Sequence, residues 1–215
     1  MTISRRDVMK GAAAGLSALT WVRSAAAQSP NEKILLGSIG CGGMCETHHK
    51  MFTQIPDVEI VALADVDENH LNAKAAVIEK RYGKKPKLFR DFRQLLDMKE
   101  LNAVNIATPD HWHAIPFIMP CQAGKDVYCE KPISHNIVEG RAMVNAALAN
   151  KRVVQIGTQQ RSGAHFKKAV EIVRSGALGR IVETHTWNVA NDAGMGRAAD
   201  GDAPGHVDYD FWLGP

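Results

Sequence analysis

The stretch Gly37-Ser38-Ile39-Gly40-Cys41-Gly42-Gly43-Met44-Cys45 carries the strongest structural signal in this sequence. It follows a compact apolar run over residues 33–39, typical of a buried parallel strand, and it opens a helical pattern over residues 44–54. Gly40 permits a tight turn, and Gly42 lets the backbone approach a pyrophosphate. The stretch therefore predicts a dinucleotide-binding turn, with a glycine turn that binds no ligand as the alternative.

The phosphates of such a ligand would lie at the start of the predicted helix, beside Gly43, where unpaired N–H groups and the helix dipole attract anions. Cys45 stands where this fingerprint usually has a third glycine, so the packing of helix on strand must accept a small thiol. Cys41 and Cys45 do not have the spacing of zinc ligand pairs. Like Cys121 and Cys129, they are expected to be buried free thiols, although an oxidising compartment would permit disulfides.

The second apolar run, over residues 58–64, ends at Asp65, which lies 25 residues after Gly40. A carboxylate at this distance from the glycine turn can accept both hydroxyls of a ribose. It would repel a 2′-phosphate, so the sequence favours NAD over NADP. The alternative is that the aspartate caps a helix, a role that Asp67 fits better.

Strand and helix patterns continue to alternate along the chain. Apolar runs of strand length fall at residues 33–39, 58–64, 87–89, 103–107, 126–129 and 153–156, and helical patterns fall at residues 44–54, 69–82, 92–98, 112–123 and 137–150. This alternation predicts the α/β class, as a Rossmann-type doubly wound parallel sheet with helices on both faces.

The last part of the chain has a different pattern. Residues 163–175 form an amphipathic helical pattern, residues 180–190 alternate as a strand does, and residues 191–205 have the composition of a loop. A strand of a second sheet without partner strands is not a stable unit. We therefore expect a Rossmann domain over residues 28–160, followed at residues 161–215 by a linking helix and the start of a truncated α+β domain for substrate binding and oligomerisation.

Two further motifs follow predicted strands. Ala107-Thr108-Pro109-Asp110-His111-Trp112-His113 comes at the carboxyl end of the fourth strand, where open α/β sheets bind ligands. His111 and His113 could suggest a metal, but no further Cys or His lies nearby at ligand spacing. We expect this motif to line a pocket, and we expect no metal.

Glu130-Lys131-Pro132 comes at the end of the fifth strand. A lysine is rarely placed at the edge of a core strand for packing, because burying it is costly. Beside an oxidised nicotinamide, the like charge would favour the neutral amine of Lys131, which could then act as a general acid or base on a hydroxyl or carbonyl group. A surface ion pair between Glu130 and Lys131 is the alternative.

Residues 1–27 have the pattern of an export signal and are left out of the fold. Arg5 and Arg6 precede an apolar run over residues 11–22, and Ala27 ends a small-residue cleavage site. The run is shorter than the roughly 20 residues of a spanning helix, so we expect no stable membrane insertion after cleavage. The pattern favours the twin-arginine export machinery and a periplasmic or otherwise exported protein, with a Sec signal or an uncleaved anchor as alternatives.

The composition is that of an ordinary globular protein, with 45% hydrophobic and 23% charged residues in 215. The formal net charge is +3, and the basic residues are spread along the chain without forming a stripe. The sequence therefore argues against nucleic acid as a partner.

Taken together, these motifs resemble the glucose–fructose oxidoreductase / inositol dehydrogenase / MocA (Gfo/Idh/MocA) family over residues 33–215, and especially its exported branch with twin-arginine signals. The resemblance also rests on Gln155-Ile156-Gly157-Thr158-Gln159-Gln160-Arg161 and on the closing Asp208-Tyr209-Asp210-Phe211-Trp212-Leu213-Gly214-Pro215. It covers nearly all of the chain that follows the export signal.

The resemblance implies a role for each matching position. Lys131 would be the catalytic lysine, and Glu130 would contact the nicotinamide end of the cofactor. Gln160 and Arg161 would lie on the substrate side, and a cis peptide bond would precede Pro132. The remaining positions would bind or border NAD, namely Gly40, Gly42 and Gly43 at the pyrophosphate, Asp65 at the adenosine ribose, and Thr108, Pro109 and His113 at the nicotinamide half.

The same resemblance implies an NAD(P)-dependent oxidoreductase that moves a hydride to or from a hydroxyl-bearing carbon of a small sugar or cyclitol-like substrate, in a full-length homo-oligomer. The family's Asp and His that complete the acid/base site would lie beyond Pro215, so this chain could bind the cofactor without turning over. One alternative is an NAD-recycling glycosidase, lyase or epimerase that oxidises a sugar transiently. A ligand-binding relative that has lost catalysis is another.

Overall fold

A computed structural model describes residues 33–187, 196 and 199–215, and the predicted export signal lies outside these residues. The strands are β1 (Ile34–Ile39), β2 (Val58–Ala64), β3 (Lys87–Phe89), β4 (Ala103–Ile106), β5 (Asp126–Glu130) and β6 (Val154–Gly157). The helices are α1 (Gly43–Phe52), α2 (Glu68–Tyr82), α3 (Phe92–Leu96), α4 (Ala114–Gln122), α5 (Ile137–Ala149), α6 (Ala164–Arg174) and α7 (Tyr209–Leu213), with 3₁₀ turns at Asp110–Trp112 and Gln159–Ser162.

The six strands form one sheet in the order β3-β2-β1-β4-β5-β6, and every neighbouring pair is parallel. The chain leaves β1 toward one edge of the sheet through β2 and β3, and then crosses to β4 on the other side of β1. The strand order therefore reverses between β1 and β4, and open α/β sheets bind ligands at the carboxyl ends of the strands beside such a reversal. This topology confirms the predicted Rossmann-type doubly wound sheet.

An irregularity in β2 helps to fill both faces of the sheet. Leu36 pairs with Ile60 and the next residue, Gly37, pairs with Ala62, so Val61 is an extra residue in β2. A bulge of this kind reverses the alternation of side chains beyond it. Ile60 accordingly packs in one buried cluster and Ala62 in the other.

Helix α2 shows how closely local sequence determines the helix ends. The Asp67 side chain accepts hydrogen bonds from the backbone N–H groups at the helix start, and Gly83 ends the helix with a φ of +69°. A left-handed residue after the last turn is the usual place for glycine. Leu71, Ala75 and Ile78, spaced at about one helical turn, are the buried residues of this helix.

Two predictions beyond the sheet need correction. Residues 180–187 form neither helix nor strand, and residues 188–190 lie outside the described part of the chain, so the strand predicted at 180–190 is wrong over its described length. Alternating residues alone do not hold a strand that has no partner. The helix predicted at 112–123 is also divided, because a 3₁₀ turn ends at Trp112 before α4 begins at Ala114.

None of the described helices is long and apolar enough to cross a membrane. Helix α6 confirms the amphipathic pattern predicted over 163–175, with bounds one residue shorter at each end. Helix α7 belongs to the C-terminal segment, which we define as residues 204–215.

Candidate functional site

The turn after β1 contains glycines of two kinds. Gly40 has a φ of +84°, in the region that favours glycine, and a Cβ there would lie 2.8 Å from backbone atoms of Ala107 and Thr108. At Gly42 and Gly43, by contrast, a Cβ would meet no atom within 4 Å outside the adjoining residues. Gly40 is therefore needed for the turn itself, whereas Gly42 and Gly43 leave open space above it.

This open space suits a diphosphate. Helix α1 begins at Gly43, its N-cap is Gly42, and no side chain bonds to the N–H groups of its first turn. Those N–H groups and the helix dipole attract anions. The residues present therefore fit the pyrophosphate of a dinucleotide.

Asp65 lies at the end of β2 and borders the same space. One carboxylate oxygen accepts the backbone N–H of Cys41, and the other accepts that of Asp67 at 2.8 Å. Burial raises the pKa of Asp65, and these two hydrogen bonds only partly oppose the shift. The carboxylate thus fixes the glycine turn, and its remaining lone pairs are acceptors for hydroxyl donors such as those of a ribose.

A cleft of about 520 Å³ extends from the glycine turn along the ends of β1, β2 and β4. This volume is in the range of small-molecule and cofactor sites. Gly40, Gly42, Asp65, Thr108 and Pro109 all line it, so the structure brings five of the predicted cofactor residues into one cleft. The remaining predicted residues, Gly43, His113, Glu130, Lys131, Gln160 and Arg161, are not among the residues that line it.

The C-terminal segment forms the outer wall of this cleft. Phe211 stacks on Phe92 with the ring centroids 6.2 Å apart, and its ring meets Trp112 edge-on at 5.0 Å. The indole N–H of Trp112 donates to the Phe211 carbonyl at 2.9 Å. Further along the cleft, the backbone N–H of Asp208 donates to the carbonyl of Val66 at 3.0 Å. Sequence reasoning assigned this segment to a second domain and did not anticipate these contacts.

His113 lies behind the cleft. It is buried, with Nδ1 2.6 Å from the carbonyl oxygen of Pro132 and Nε2 3.0 Å from that of Thr108. Both ring nitrogens are therefore occupied by backbone groups from the turns that follow β4 and β5. The imidazole thus holds two turns together and does not line the cleft, and its predicted place bordering the nicotinamide stays a prediction.

Glu130 is also buried, at 3% exposure, below the carboxyl edge of β5. Its Oε2 accepts the backbone N–H of Lys131 at 2.8 Å, and its Oε1 accepts from His48 Nε2 at 2.9 Å and from the Gln159 side-chain amide. Burial raises the pKa of Glu130, but these donors outweigh burial and leave the pKa below its usual value. The carboxylate is thus engaged inside the protein, and its predicted contact with the nicotinamide end of the cofactor stays a prediction.

Lys131 itself is exposed, and the peptide bond to Pro132 is cis, as the resemblance implies. The ion pairs found among the described residues do not include one between the side chains of Lys131 and Glu130. Gln160 and Arg161 are exposed in the 3₁₀ turn after β6. Their predicted place on the substrate side stays a prediction.

Three residues that join this network were missed from the sequence. His48 bonds to Glu130 and also, through Nδ1, to Asn105 Oδ1 at 2.8 Å, and Gln159 bonds to Glu130. The signal available for His48 was a polar side chain on the inner face of the helix that follows the glycine turn. Its partners are far away in sequence, which is why the pattern alone did not reveal it.

The cysteines are buried and free, as predicted. Cys45 replaces the third fingerprint glycine without exposing its thiol, which lies 3.1 Å from His49 Nε2. A hydrogen bond with Cys41 and one with His49 lower the pKa of Cys45 to about 5 against the effect of burial. In the parts of the chain that the structure describes, no group of three or more His, Cys, Asp or Glu side chains could hold a metal ion.

The sheet order and the open glycine turn define a Rossmann domain of the kind that binds dinucleotides. The profile of the Gfo/Idh/MocA oxidoreductases, a family with an NAD-binding Rossmann fold, matches residues 34–158. This match covers more than half of the chain, and the chain belongs to that family.

Individual relatives agree with the family assignment. Inositol 2-dehydrogenase of Rubrobacter xylanophilus is 32% identical over 161 residues, which are 74% of this chain and 44% of that protein. Levoglucosan dehydrogenase of Pseudarthrobacter phenanthrenivorans is 29% identical over 70% of this chain and 40% of its own length. The WlbA dehydrogenase of Bordetella pertussis, in complex with NADH and UDP-GlcNAcA, has a TM-score of 0.62 at 28% identity over 69% of this chain and 45% of its own. The chain spans less than half the length of these relatives.

The two kinds of glycine predict two kinds of damage. Gly42→Ala adds a methyl group to open space, so the unfolding free energy should change by less than about 1 kcal/mol. NAD affinity should fall at least tenfold, because the methyl group takes up the space through which the pyrophosphate approaches the backbone. Gly40→Ala should lower stability by more than about 2 kcal/mol, because strain at positive φ adds to a backbone clash. Urea unfolding and calorimetric titration with NAD test both, and equal NAD affinity for parent and Gly42→Ala would contradict the assignment.

The packing of the C-terminal segment against the cleft leads to a separate prediction. Phe211→Ala removes the ring packed between Phe92 and Trp112, so the segment should detach and NAD should dissociate about tenfold faster. Trp187→Ala is the matched control, because it removes an aromatic side chain that is 78% exposed. Stopped-flow displacement of bound NADH measures the rate, and identical rates for parent and Phe211→Ala would show that the segment does not retain the cofactor.

Proposed function

We propose that this protein transfers a hydride between NAD and a hydroxyl-bearing carbon of a sugar or cyclitol, with Lys131 as the acid/base. The observation that carries the proposal is the anchoring of Lys131. Its backbone N–H is bound by the buried Glu130 carboxylate at 2.8 Å, at the same sheet edge as the glycine turn and Asp65. An exposed amine on a fixed backbone beside a dinucleotide site is suited to proton transfer.

The residues of the cleft would hold the cofactor as follows. The N-terminus of α1 would bind the pyrophosphate at Gly42 and Gly43, and Asp65 would accept the hydroxyls of the adenosine ribose. Bound NAD supplies the hydride acceptor or donor. Arg90 also lines the cleft, but its guanidinium is already paired with Glu68 at 2.9 Å, which supports NAD over NADP.

Oxidation of an alcohol releases a proton together with the hydride. In its neutral form, Lys131 would accept that proton from the substrate hydroxyl, and in the reverse direction it would return the proton to the carbonyl oxygen. His113 would contribute indirectly, because it joins the turn that carries Pro132 to the turn that carries Thr108. Gln160 and Arg161 would face the substrate.

The substrate class comes from the relatives. Inositol and levoglucosan dehydrogenases are similar to this chain, and the similar WlbA structure holds NADH with UDP-GlcNAcA. We further propose export by the twin-arginine route to the periplasm and assembly as a homo-oligomer, on the strength of the sequence pattern and the family resemblance.

A second candidate is transient oxidation with a retained cofactor, as in an NAD-recycling lyase, epimerase or glycosidase. The wall formed by the C-terminal segment favours it, because Trp112 and Phe211 enclose the same cleft that Asp65 borders. The twin-arginine route carries folded proteins, so a nucleotide loaded in the cytoplasm could travel with the protein. Turnover without an external oxidant or reductant would support this candidate over net hydride transfer.

The cofactor assignment is tested first by the nucleotide that the protein retains. The chain is purified from cytoplasm and denatured, and the released ligand is identified by mass spectrometry. We expect NAD, in near-equal amount to protein if the cofactor is retained, and less in Asp65→Ala, which lacks the ribose acceptor. Released NADP in place of NAD would contradict the argument from Asp65.

The role of Lys131 is tested with Lys131→Met, assayed for NAD reduction on a panel of cyclitols and sugars in the whole protein. We expect kcat to fall by about 10²- to 10⁴-fold, with NAD affinity within about threefold of the parent. The control is Lys80→Met, which removes an exposed lysine from α2. Full activity in Lys131→Met would exclude the lysine as the acid/base.

A further inference from the structure

A buried histidine on α1 contacts the acid/base end of the site. His48 is 1% exposed, and its Nε2 lies 2.9 Å from Glu130 Oε1 on β5. Its Nδ1 lies 2.8 Å from Asn105 Oδ1 on β4. One imidazole thus joins the helix that follows the glycine turn to two neighbouring strands of the sheet.

The Glu130 carboxylate divides its two oxygens between different partners. Oε1 faces His48 and Gln159, whereas Oε2 accepts the backbone N–H of Lys131 at 2.8 Å. Rotation of the carboxylate would break the contacts of both oxygens together. The orientation that His48 imposes is therefore also the orientation that holds the backbone of Lys131.

The surroundings leave this arrangement little freedom. Tyr128 meets the His48 ring edge-on at 5.1 Å, and Phe52 does so at 6.3 Å. On the other side, a Cβ at Gly157 would lie 2.9 Å from Glu130 Oε1, so β6 leaves just enough room for the carboxylate. A substitution at His48 cannot be compensated by a new rotamer of Glu130 without a clash or a lost hydrogen bond.

We propose that His48 is a positioning residue for Lys131, acting through Glu130. The inference rests on the proposed function, in which Lys131 is the acid/base. His48 donates to the carboxylate that anchors the Lys131 backbone, and it comes from the helix whose N-terminus faces the pyrophosphate site. A single side chain thus fixes the position of the Lys131 backbone relative to the start of α1, where the pyrophosphate would bind.

The two nitrogens of the imidazole can be replaced separately. The amide nitrogen of glutamine reaches about as far as Nε2, and that of asparagine about as far as Nδ1. His48→Gln therefore keeps a donor for Glu130, and His48→Asn removes it while keeping a polar group near Asn105. His49→Asn is the control, because His49 is the next residue of α1, is 3% exposed, and bonds to Ser38 Oγ at 2.8 Å instead of to Glu130.

The experiment measures hydrogen exchange of the Lys131 amide in the whole chain, alongside unfolding free energy and kcat. In His48→Asn, we expect the Lys131 amide hydrogen to exchange at least tenfold faster than in the parent, and kcat to fall by about 10- to 100-fold. His48→Gln should stay within about threefold of the parent in both. His49→Asn should lower global stability without accelerating exchange at Lys131 beyond what that loss of stability explains.

Equal behaviour of His48→Asn and His48→Gln would overturn the proposal, since a merely structural role does not distinguish which nitrogen is kept. Unchanged exchange at Lys131 in His48→Asn would overturn it as well. The proposed function fails differently. If Lys131→Met retains full turnover while His48→Asn still accelerates exchange at Lys131, the support for the Lys131 backbone stands and the acid/base role of the lysine is wrong.

Discussion

The close approach of Gly40 to the backbone of Ala107 and Thr108 is the constraint on which this site depends. Only a residue without a side chain lets the turn after β1 lie against the turn after β4, at a distance where a Cβ would be 2.8 Å from main-chain atoms. That contact lies at the point where the strand order reverses. It brings the start of α1, the end of β2 and the Thr108 turn to one edge, and so creates the cleft.

Two carboxylates at strand ends show how the site sets its charges. Burial raises the pKa of Asp65 by more than its two backbone hydrogen bonds and the nearby His70 lower it, whereas for Glu130 the donors outweigh burial and the pKa falls below its usual value. A raised folded-state pKa means that the Asp65 contribution to stability declines as pH rises through that pKa; the Glu130 contribution is instead lost as pH falls through its own. The Asp65 carboxylate thus has few donors, and ribose hydroxyls would add to them, whereas the donors of Glu130 are already in place.

The parts of the molecule that depend on local sequence could be predicted. The glycine turn, the Asp67 cap and the Gly83 end of α2 rest on residue types whose conformational reasons act over a few positions. The contacts of His48 could not be predicted, because Asn105 and Glu130 are 57 and 82 residues away and their meeting requires the strand order. The strand wrongly predicted over 180–187 has the converse explanation, because its residues do alternate but strand formation needs a neighbouring strand.

The C-terminal segment shows why a motif can be recognised before its place is known. Its aromatic residues suggest a hydrophobic core, and the Phe211 ring does pack on Phe92 and Trp112. Main-chain groups add to this attachment, since the carbonyls of Phe211 and Trp212 accept from the Trp112 indole at 2.9 and 3.2 Å. Main-chain hydrogen bonds form with almost any residue type, so within the segment only a position such as Gly214, where a side chain would clash, reflects its placement in the sequence. At Gly214, a Cβ would lie 2.6 Å from Trp112 Nε1. A side chain at this position would clash with the indole, so the glycine lets the segment lie against Trp112, which lines the cleft.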